Sequence, residues 1–511
     1  MIPSKYQKAF FEKIEKGAER KIVLLAVPGS GKTTTLIEGS KRINAKYKIF
    51  LAYSKSVVAE LRKKLPKEVD VKTVHSLGGY AVWKHLGRKK LTVDNNKYKG
   101  ICEERIFDLM REGIIQGNGK LDYKKIVEEL ETLVKYVRVT LTDFRDAATV
   151  ERMIAHFSLD APNREVLIPE IPRVLEEGMR IARLRLIIDN TDQIWLPSNK
   201  AWDIPMFKYD AIFVDEAQDL SECSLALIER ISSKKSLVCF AGDPQQSIMG
   251  FSGARSDAIK QIIKRFDAIV MPLLICYRCG KAIVEEAKKF VPEMEAAPGA
   301  LEGSVQDVFV ENVPSIVKSG DFVTCRTIAP LINLCLQLIA QGKRAVVVGE
   351  KVEDFLIEVV EDLEKMKGFN LQQFNSFLEA YKTRKTASFT EQKLNNRVIE
   401  EYEDRLSAAQ ACYQRLVQAR GVQTTKQLKQ EIRKLFSDKE ADIRLFTIHK
   451  IKGLEADRVV ILDYDKLPLS WEGQKQWEED QEKHALFVAI TRAREVLIRA
   501  RQRMAYDLVA F

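Results

Sequence analysis

Four side chains have the types and spacing to hydrolyse a nucleoside triphosphate: Lys32, Thr33, Asp215 and Glu216. The first two close the segment Ala26-Val27-Pro28-Gly29-Ser30-Gly31-Lys32-Thr33. A loop built from Pro28, Gly29, Ser30 and Gly31 lets the backbone wrap an anion. With Thr34 in the next helical turn, its amides aim positive partial charge at a β-phosphate. Lys32 reaches the β- and γ-phosphates, and the Thr33 hydroxyl is placed for Mg²⁺. The second pair lies in Ala211-Ile212-Phe213-Val214-Asp215-Glu216. Asp215 would complete the Mg²⁺ shell opposite Thr33. Glu216 would orient the attacking water and take its proton. A lone Asp-Glu pair is more often two solvated loop acids. Behind an apolar strand, and in a chain that also carries the phosphate loop, the catalytic reading is favoured.

Those residues need particular elements beneath them. Ile22-Val23-Leu24-Leu25 reads as a buried strand delivering the loop, and a helix follows from Thr33 to about Arg42. The run 211–214 delivers both acids at a strand's C-terminal end, where open α/β sheets bind ligands. The first of these strands spans 21–26, and further strands are predicted at 48–53, 70–74, 237–241, 322–325, 345–348 and 459–462. Two stretches, 84–200 and 352–440, carry helical periodicity and many charges. In the second, Leu394 to Leu416 is long enough for a helical hairpin or coiled coil. The expected fold is α/β, with two sheet-based domains, each interrupted by a mostly helical insertion. The first comprises 1–83 and 201–271 around the insertion 84–200. The second comprises 272–351 and 441–511 around the insertion 352–440.

Further polar groups sit at strand ends. Gln246, in Gly242-Asp243-Pro244-Gln245-Gln246-Ser247, is placed to sense a γ-phosphate. Arg278 follows the apolar run 272–275, and Arg492 lies in Val488-Ala489-Ile490-Thr491-Arg492-Ala493-Arg494. A guanidinium can stabilise the charge that builds on a transferring phosphoryl group. Either arginine alone would more commonly be a surface ion-pair partner. Cys276-Tyr277-Arg278-Cys279 is a single C-x-x-C, and a metal site needs a second pair.

Composition sets the class. Among 511 residues, 46% are hydrophobic, which supports sizeable cores. Lys and Arg total 82 against 72 Asp and Glu, a net charge of +10. That excess leans toward a polyanionic partner. No apolar run is long enough to span a membrane, and Met1-Ile2-Pro3-Ser4-Lys5 lacks an apolar signal core. Eight scattered cysteines suit a reducing compartment. The expected location is cytoplasmic, nucleoid-associated in a prokaryote.

Gln7, Ala26–Thr33, Thr73-Val74-His75-Ser76, Asp215–Asp219, Gly242–Ala254, Tyr277-Arg278, Thr447–Glu455 and Val488–Arg494 occur in one order. That order resembles the UvrD/PcrA/Rep-type helicases of superfamily 1, over residues 1 to about 500. The resemblance implies two RecA-like P-loop motor domains with ATP and Mg²⁺ between them. By likeness to the family, Gln7 contacts adenine, Tyr277 stacks on it and Glu455 meets the ribose. Arg278 and Arg492 reach the γ-phosphate from the second domain. Tyr53 and Phe251 would stack on bases, and Thr73, His75, Thr447 and His449 would line the strand groove. The chain departs from the family pattern at Met249, Phe251 and Ser252, where an aromatic, a Trp and an Arg are usual. Lys450 and Ile451 stand where small residues are common.

The activity the resemblance implies is an ATP-dependent DNA helicase. It would translocate 3′→5′ on single-stranded DNA and unwind tailed duplex, in DNA repair, replication or recombination. It would act as a monomer or weak oligomer. The alternative is a translocase on DNA or RNA that displaces proteins without unwinding by itself.

Overall fold

The structure is a computed structural model that describes residues 2–17, 19–115, 120–248, 257–391, 396–418, 421–437 and 441–503. The chain divides into two compact units. Met1–Ala26 with Gly31–Leu274 form the first, and Val27–Ser30 with Ile275–Phe511 form the second.

In the first unit the order is α1 (Lys5–Lys16), β1 (Lys21–Ala26), α2 (Lys32–Arg42), β2 (Lys48–Ala52), α3 (Lys55–Lys64), β3 (Val69–Thr73) and α4 (Val74–His85). Next come β4 (Thr92–Val93), α5 (Lys97–Arg111), α6 (Lys120–Val139), α7 (Ala147–His156), α8 (Arg164–Leu167), α9 (Ile171–Leu184), β5 (Ile187–Ile188) and α10 (Asp192–Ser198). The chain returns through β6 (Ala211–Val214), α11 (Glu222–Ile231), β7 (Leu237–Gly242), α12 (Ala258–Phe266) and β8 (Ile269–Leu273). Six strands form one parallel sheet in the order β3-β2-β6-β7-β1-β8. The crossover from β1 through α2 to β2 skips two places, which β6 and β7 later fill. The strands carrying Lys32, Asp243 and Asp215 therefore end side by side at one rim, the ligand-binding edge of such sheets.

Strand alternation explains how this sheet is covered. Ile22, Leu24 and Phe50 point into one apolar cluster with Phe10, Phe11 and Leu36. Val23, Ile49 and Leu51 point the other way, into a cluster that continues into Ile101, Leu130, Val134 and Leu175 of the helical insertion. The insertion thus shares a continuous core with the sheet. Its predicted start at 84 falls inside α4, which runs on to His85 and packs against α10. Lys97, Arg138, Asp189 and Asp192 meet inside it. Lys97 Nζ lies 2.5 Å from Asp192 Oδ2, and Arg138 Nη1 lies 2.9 Å from Asp189 and 3.2 Å from Asp192. The Tyr98 hydroxyl donates to Asp192 at 3.0 Å, and the Arg138 guanidinium stacks 3.6 Å from the Tyr98 ring centroid.

The second unit holds β9 (Ile275–Cys276), α13 (Lys281–Ala287), β10 (Glu295–Ala296), β11 (Ser304–Phe309), α14 (Val313–Ile316), β12 (Phe322–Cys325), α15 (Ala329–Ala340) and β13 (Ala345–Val348). The helices α16 (Glu350–Glu364), α17 (Phe374–Glu391), α18 (Asn396–Cys412) and α19 (Thr425–Ser437) follow. Then come β14 (Ile443–Thr447), α20 (Ile448–Ile451), β15 (Ala456–Ile461), α21 (Gln476–Ile490) and β16 (Ala493–Arg501). A second six-stranded parallel sheet runs β11-β16-β15-β12-β14-β13. Leu394 to Leu416, read as a hairpin or coiled coil, is over its described residues one helical run, α18 continued by the π-helical turn Tyr413–Gln418, and α18 packs on α17, which lies outside that span. Pro272 and Leu273, read as the start of the second domain, complete β8 of the first sheet, paired with Leu25 and Ala26 of β1. Among the described residues no helix is long and apolar enough to cross a membrane.

Candidate active site

The phosphate loop begins with the backbone. Gly29 and Gly31 have φ of +67° and +77°, left-handed values that a Cβ resists. Gly31 caps α2 without a side-chain hydrogen bond, and the helix's first turn carries no acid. Its first amides are therefore left for an anion. Ser30 N donates to Val27 O at 3.2 Å, while its buried hydroxyl has no hydrogen-bond partner among the described residues. An orphaned buried hydroxyl in a cradle of amides fits a phosphate oxygen.

Lys32 Nζ lies 3.9 Å from Glu216 Oε2. The Thr33 hydroxyl donates to Asp215 Oδ2 at 2.5 Å. One hydroxyl and one carboxylate oxygen are hard donors, and this pair fits Mg²⁺. Burial and the adjacent Glu216 push the Asp215 carboxyl up to about 6. A cation at that oxygen would favour the ionised form.

Glu216 sits in the left-handed region at φ +52°. Its side chain is held by a residue to which the sequence assigns no role. Gln218 Nε2 donates to Glu216 Oε2 at 2.5 Å, and Asp243 N donates to Gln218 Oε1 at 3.0 Å. Gln246 Nε2 donates to Asp243 Oδ2 at 2.6 Å. Glu216, Gln218, Asp243 and Gln246 thus form one chain of hydrogen bonds across the ends of β6 and β7. Gln218 lies inside Asp215–Asp219, so its place in the motif was the available signal.

Gln7 is 4% exposed and its carboxamide is committed at both ends. Ser4 N donates to Gln7 Oε1 at 2.9 Å, closing a capping box on α1. Gln7 Nε2 donates to Thr35 Oγ1 at 2.9 Å, and that hydroxyl donates to Gly31 O at 2.8 Å. Gln7 is therefore tied to the phosphate loop through Thr35, a residue not singled out in the sequence.

In the second unit Arg278, Glu455 and Arg492 converge. Arg278 Nε lies 2.5 Å from Glu455 Oε2, and its Nη1 donates to Thr491 O at 3.2 Å. Arg494 Nη2 donates to Glu455 Oε1 at 2.6 Å. Burial alone would raise the Glu455 carboxyl, but Arg494 and Arg278 hold it below the usual range. Arg492 is 1% exposed, donating from Nε to Val488 O at 2.9 Å and from Nη2 to Thr491 Oγ1 at 3.2 Å. Tyr277 is half exposed. Cys276 and Cys279 are free, buried thiols. Among the described residues no group of three or more His, Cys, Asp or Glu side chains is placed to hold a metal.

The residues expected to meet nucleic acid fall at strand ends. Tyr53 is exposed and directly follows β2, whose last residue, Ala52, pairs with Thr73 of β3. Thr73 caps α4 in a capping box with Ser76, and His75 is exposed in its first turn. Thr447 ends β14, with His449 in the short helix after it. The same Thr-x-His arrangement thus follows a strand in each sheet. Phe251 lies outside the described residues, as do Met249 and Ser252.

Comparison with known proteins agrees with this layout. Residues 7–267 match the UvrD/REP helicase N-terminal domain, and residues 442–498 match the UvrD-like helicase C-terminal domain. The chain is similar to F-box DNA helicase 1 of Gallus gallus, 24% identical across 96% of this chain and 48% of that protein. It is similar to the mitochondrial ATP-dependent DNA helicase HMI1 of Saccharomyces cerevisiae, 25% identical over 53% of this chain and 38% of the relative. A probable DNA helicase II homologue of Mycoplasma capricolum is 33% identical over 16% of this chain and 12% of its own length. The chain spans about half the length, or less, of these curated relatives. With the N-terminal model covering half of its residues, this chain belongs to the UvrD/REP helicase family.

Proposed function

We propose that this chain is an ATP-driven DNA helicase that moves 3′→5′ along single-stranded DNA and unwinds tailed duplex. One observation carries the reading: the Lys32–Glu216 pair joined through Gln218 and Asp243 to Gln246, at the mouth of the glycine loop. In this reading the loop amides and Lys32 hold the phosphates. Gln7 and Tyr277 take the adenine, and Glu455 takes the ribose. Thr33 and Asp215 would hold Mg²⁺, which supplies positive charge beside the β- and γ-phosphates.

Glu216 orients a water for in-line attack on the γ-phosphorus and takes its proton. The bond to the β,γ-bridging oxygen breaks, giving ADP and inorganic phosphate. Gln246 senses the γ-phosphate and reports its loss to Glu216 through Asp243 and Gln218. Arg278 and Arg492 offset charge on the transferring group, which requires each to exchange its present partners for phosphate oxygen. Tyr53, Phe251, Thr73, His75, Thr447 and His449 hold the strand, and ATP-dependent change in their grip converts hydrolysis into steps. Relatives named as DNA helicases favour DNA as the track. The polarity follows from family likeness.

The test is ATP hydrolysis with and without single-stranded DNA, paired with unwinding of 3′-tailed and 5′-tailed duplexes. DNA-stimulated hydrolysis with unwinding from the 3′ tail is expected. Stimulated hydrolysis without unwinding on either tail would replace the helicase reading with a protein-displacing translocase. No hydrolysis in saturating single strand would sink both.

A further inference from the structure

Between Asp70 and Asp94 the chain carries no acid, and it places Lys72, Lys84, Arg88, Lys89 and Lys90 there. This stretch is the end of β3, all of α4 and the turn beyond. Ser76, Tyr80 and Lys84, four residues apart, are exposed along one side of α4, with His75 exposed in its first turn and Arg88 exposed in the turn beyond the helix. Tyr80 is 50% exposed. It lies beside the half-buried Trp83, with ring centroids 5.5 Å apart and planes tilted by 35°. Lys72 Nζ, which donates to Asp70 Oδ2 at 2.6 Å, stands 4.9 Å from the Tyr80 centroid, and Arg88 Cζ stands 6.0 Å from the Trp83 centroid. The helix cannot turn this face inward. Gly78, on another side, has a Gln193 carbonyl 2.0 Å from where a Cβ would sit, and Leu77, Ala81 and Val82 fill the core.

We infer that the Tyr80–Trp83 face of α4 is a binding site for the bases and phosphates of an unpaired nucleic-acid strand, beyond the positions of Thr73 and His75. The inference rests on the proposed function and extends its strand path. Two tilted rings, Tyr80 the more open, offer a π-face to a base. Lys84 and Arg88 place cations beside the rings for phosphates, while the charge of Lys72 is shared with Asp70. Aromatic platforms flanked by cations are how single strands are held without sequence preference. Duplex would present only its charged exterior to such rings, so the open aromatic face selects the unpaired strand. Tyr80 follows His75 by five residues, roughly 7.5 Å further along the helix axis. A strand already held at His75 therefore needs more length to reach the Tyr80 ring.

The test is binding of the full chain to labelled oligothymidylates of about 4 to about 30 nucleotides, without nucleotide, for wild type, Tyr80→Ala and Tyr80→Phe. Circular dichroism and thermal unfolding report whether each variant is folded. Tyr80→Ala is expected to weaken binding of the longer strands by about 5- to 100-fold, while strands too short to reach it bind as wild type. Tyr80→Phe keeps the ring and is expected to bind as wild type at every length. Lys84→Gln with Arg88→Gln should flatten the salt dependence, by about 0.7 in slope for each phosphate that is no longer neutralised. Wild-type affinity of Tyr80→Ala for the longest strand overturns the site. So does a loss equally large on blunt duplex, or a Tyr80→Phe variant as weak as Tyr80→Ala. Were the wild type to bind no strand at any length, the proposed function itself would fall. If strand binding survives and only the Tyr80 effect is missing, the function stands and this site does not.

Discussion

Gln218 makes a sharp prediction because it is fully buried and both ends of its carboxamide are in use. Gln218→Leu is close in volume and removes both hydrogen bonds at once. Asp243 N–H then loses its acceptor, and a buried unmade hydrogen bond costs about 1–3 kcal/mol. Glu216 loses the donor that fixes its carboxylate. A displacement near 1 Å at a reacting group can cost about 10²-fold, so kcat for ATP should fall by about 10- to 100-fold. That corresponds to about 1.4–2.7 kcal/mol of barrier. The KM for ATP should move less than about threefold, because Lys32, Thr33 and the loop amides are untouched and ground-state binding is separate from the loss. Packing at Gly242 reinforces the point, since a Cβ there would stand 2.8 Å from Gln218 Oε1.

A double-mutant cycle tells positioning from general damage. Glu216→Gln removes the proposed base, which typically contributes about 10²- to 10⁴-fold. If Gln218 acts through Glu216, adding Gln218→Leu to Glu216→Gln should cost no further rate, whereas independent effects would add. Steady-state hydrolysis in saturating single-stranded DNA measures all four corners. Additive losses, or a Gln218→Leu enzyme with wild-type kcat, would refute the idea that Gln218 steers the base.

Lys32→Ala should abolish hydrolysis and unwinding while strand binding persists, as a gel-shift assay would show; retained hydrolysis would remove Lys32 from the phosphate site. Arg138→Met should destabilise the first unit by about 3–5 kcal/mol, because it leaves Asp189 and Asp192 buried with one cation fewer. Urea unfolding checks this, and a loss under about 1 kcal/mol would contradict it. Glu129 gives a pH dependence. Burial outweighs the two Asn163 donors and pushes its carboxyl up to about 7. The folded state then holds this proton more tightly than the unfolded chain, so its contribution to stability falls as pH rises through 7. The contribution is fully regained only below the ordinary carboxylate value. Thermal unfolding between about pH 5 and pH 8 should show this slope, worth about 1–3 kcal/mol, in wild type and not in Glu129→Gln.

The strands that carry the site were legible because they are continuous apolar runs. Lys21–Ala26 and Ala211–Val214 match the predicted spans, and Leu237–Gly242 adds one residue to its own. Buried parallel strands read that way, since both faces are covered. The strands left unread break that pattern. In β16, Ala493–Arg501, four charges interrupt the run, yet it lies between β11 and β15. It is tolerated there because Arg499 pairs with Asp307 and Glu286, and Arg494 with Glu455 and Asp457. Strand β8 contains Pro272, acceptable because β8 is the edge of its sheet. That proline also made the boundary look three residues earlier than the division at Leu274.

What the sequence could not show is which groups a motif residue already satisfies. Gln7 was expected to face adenine, yet its amide closes a helix cap and bonds Thr35. Arg492 was expected to reach a phosphate, yet it is buried against Val488 O and Thr491 Oγ1. The partners in these bonds are uncharged. A phosphate or an adenine edge must compete with them, so binding at either residue is an exchange of partners. Charge decides the balance at the arginine. A guanidinium gains more from an anionic oxygen than from a carbonyl or hydroxyl, by roughly twofold in hydrogen-bond strength. Arg278 differs, because Glu455 already gives it a carboxylate 2.5 Å away. Releasing it for a phosphate leaves Glu455 with Arg494 alone, a partner it already holds through two nitrogens. Arg494 therefore permits Arg278 to change partners without stranding a charge. The sequence motif that ends in Arg494 places that second cation two residues after Arg492.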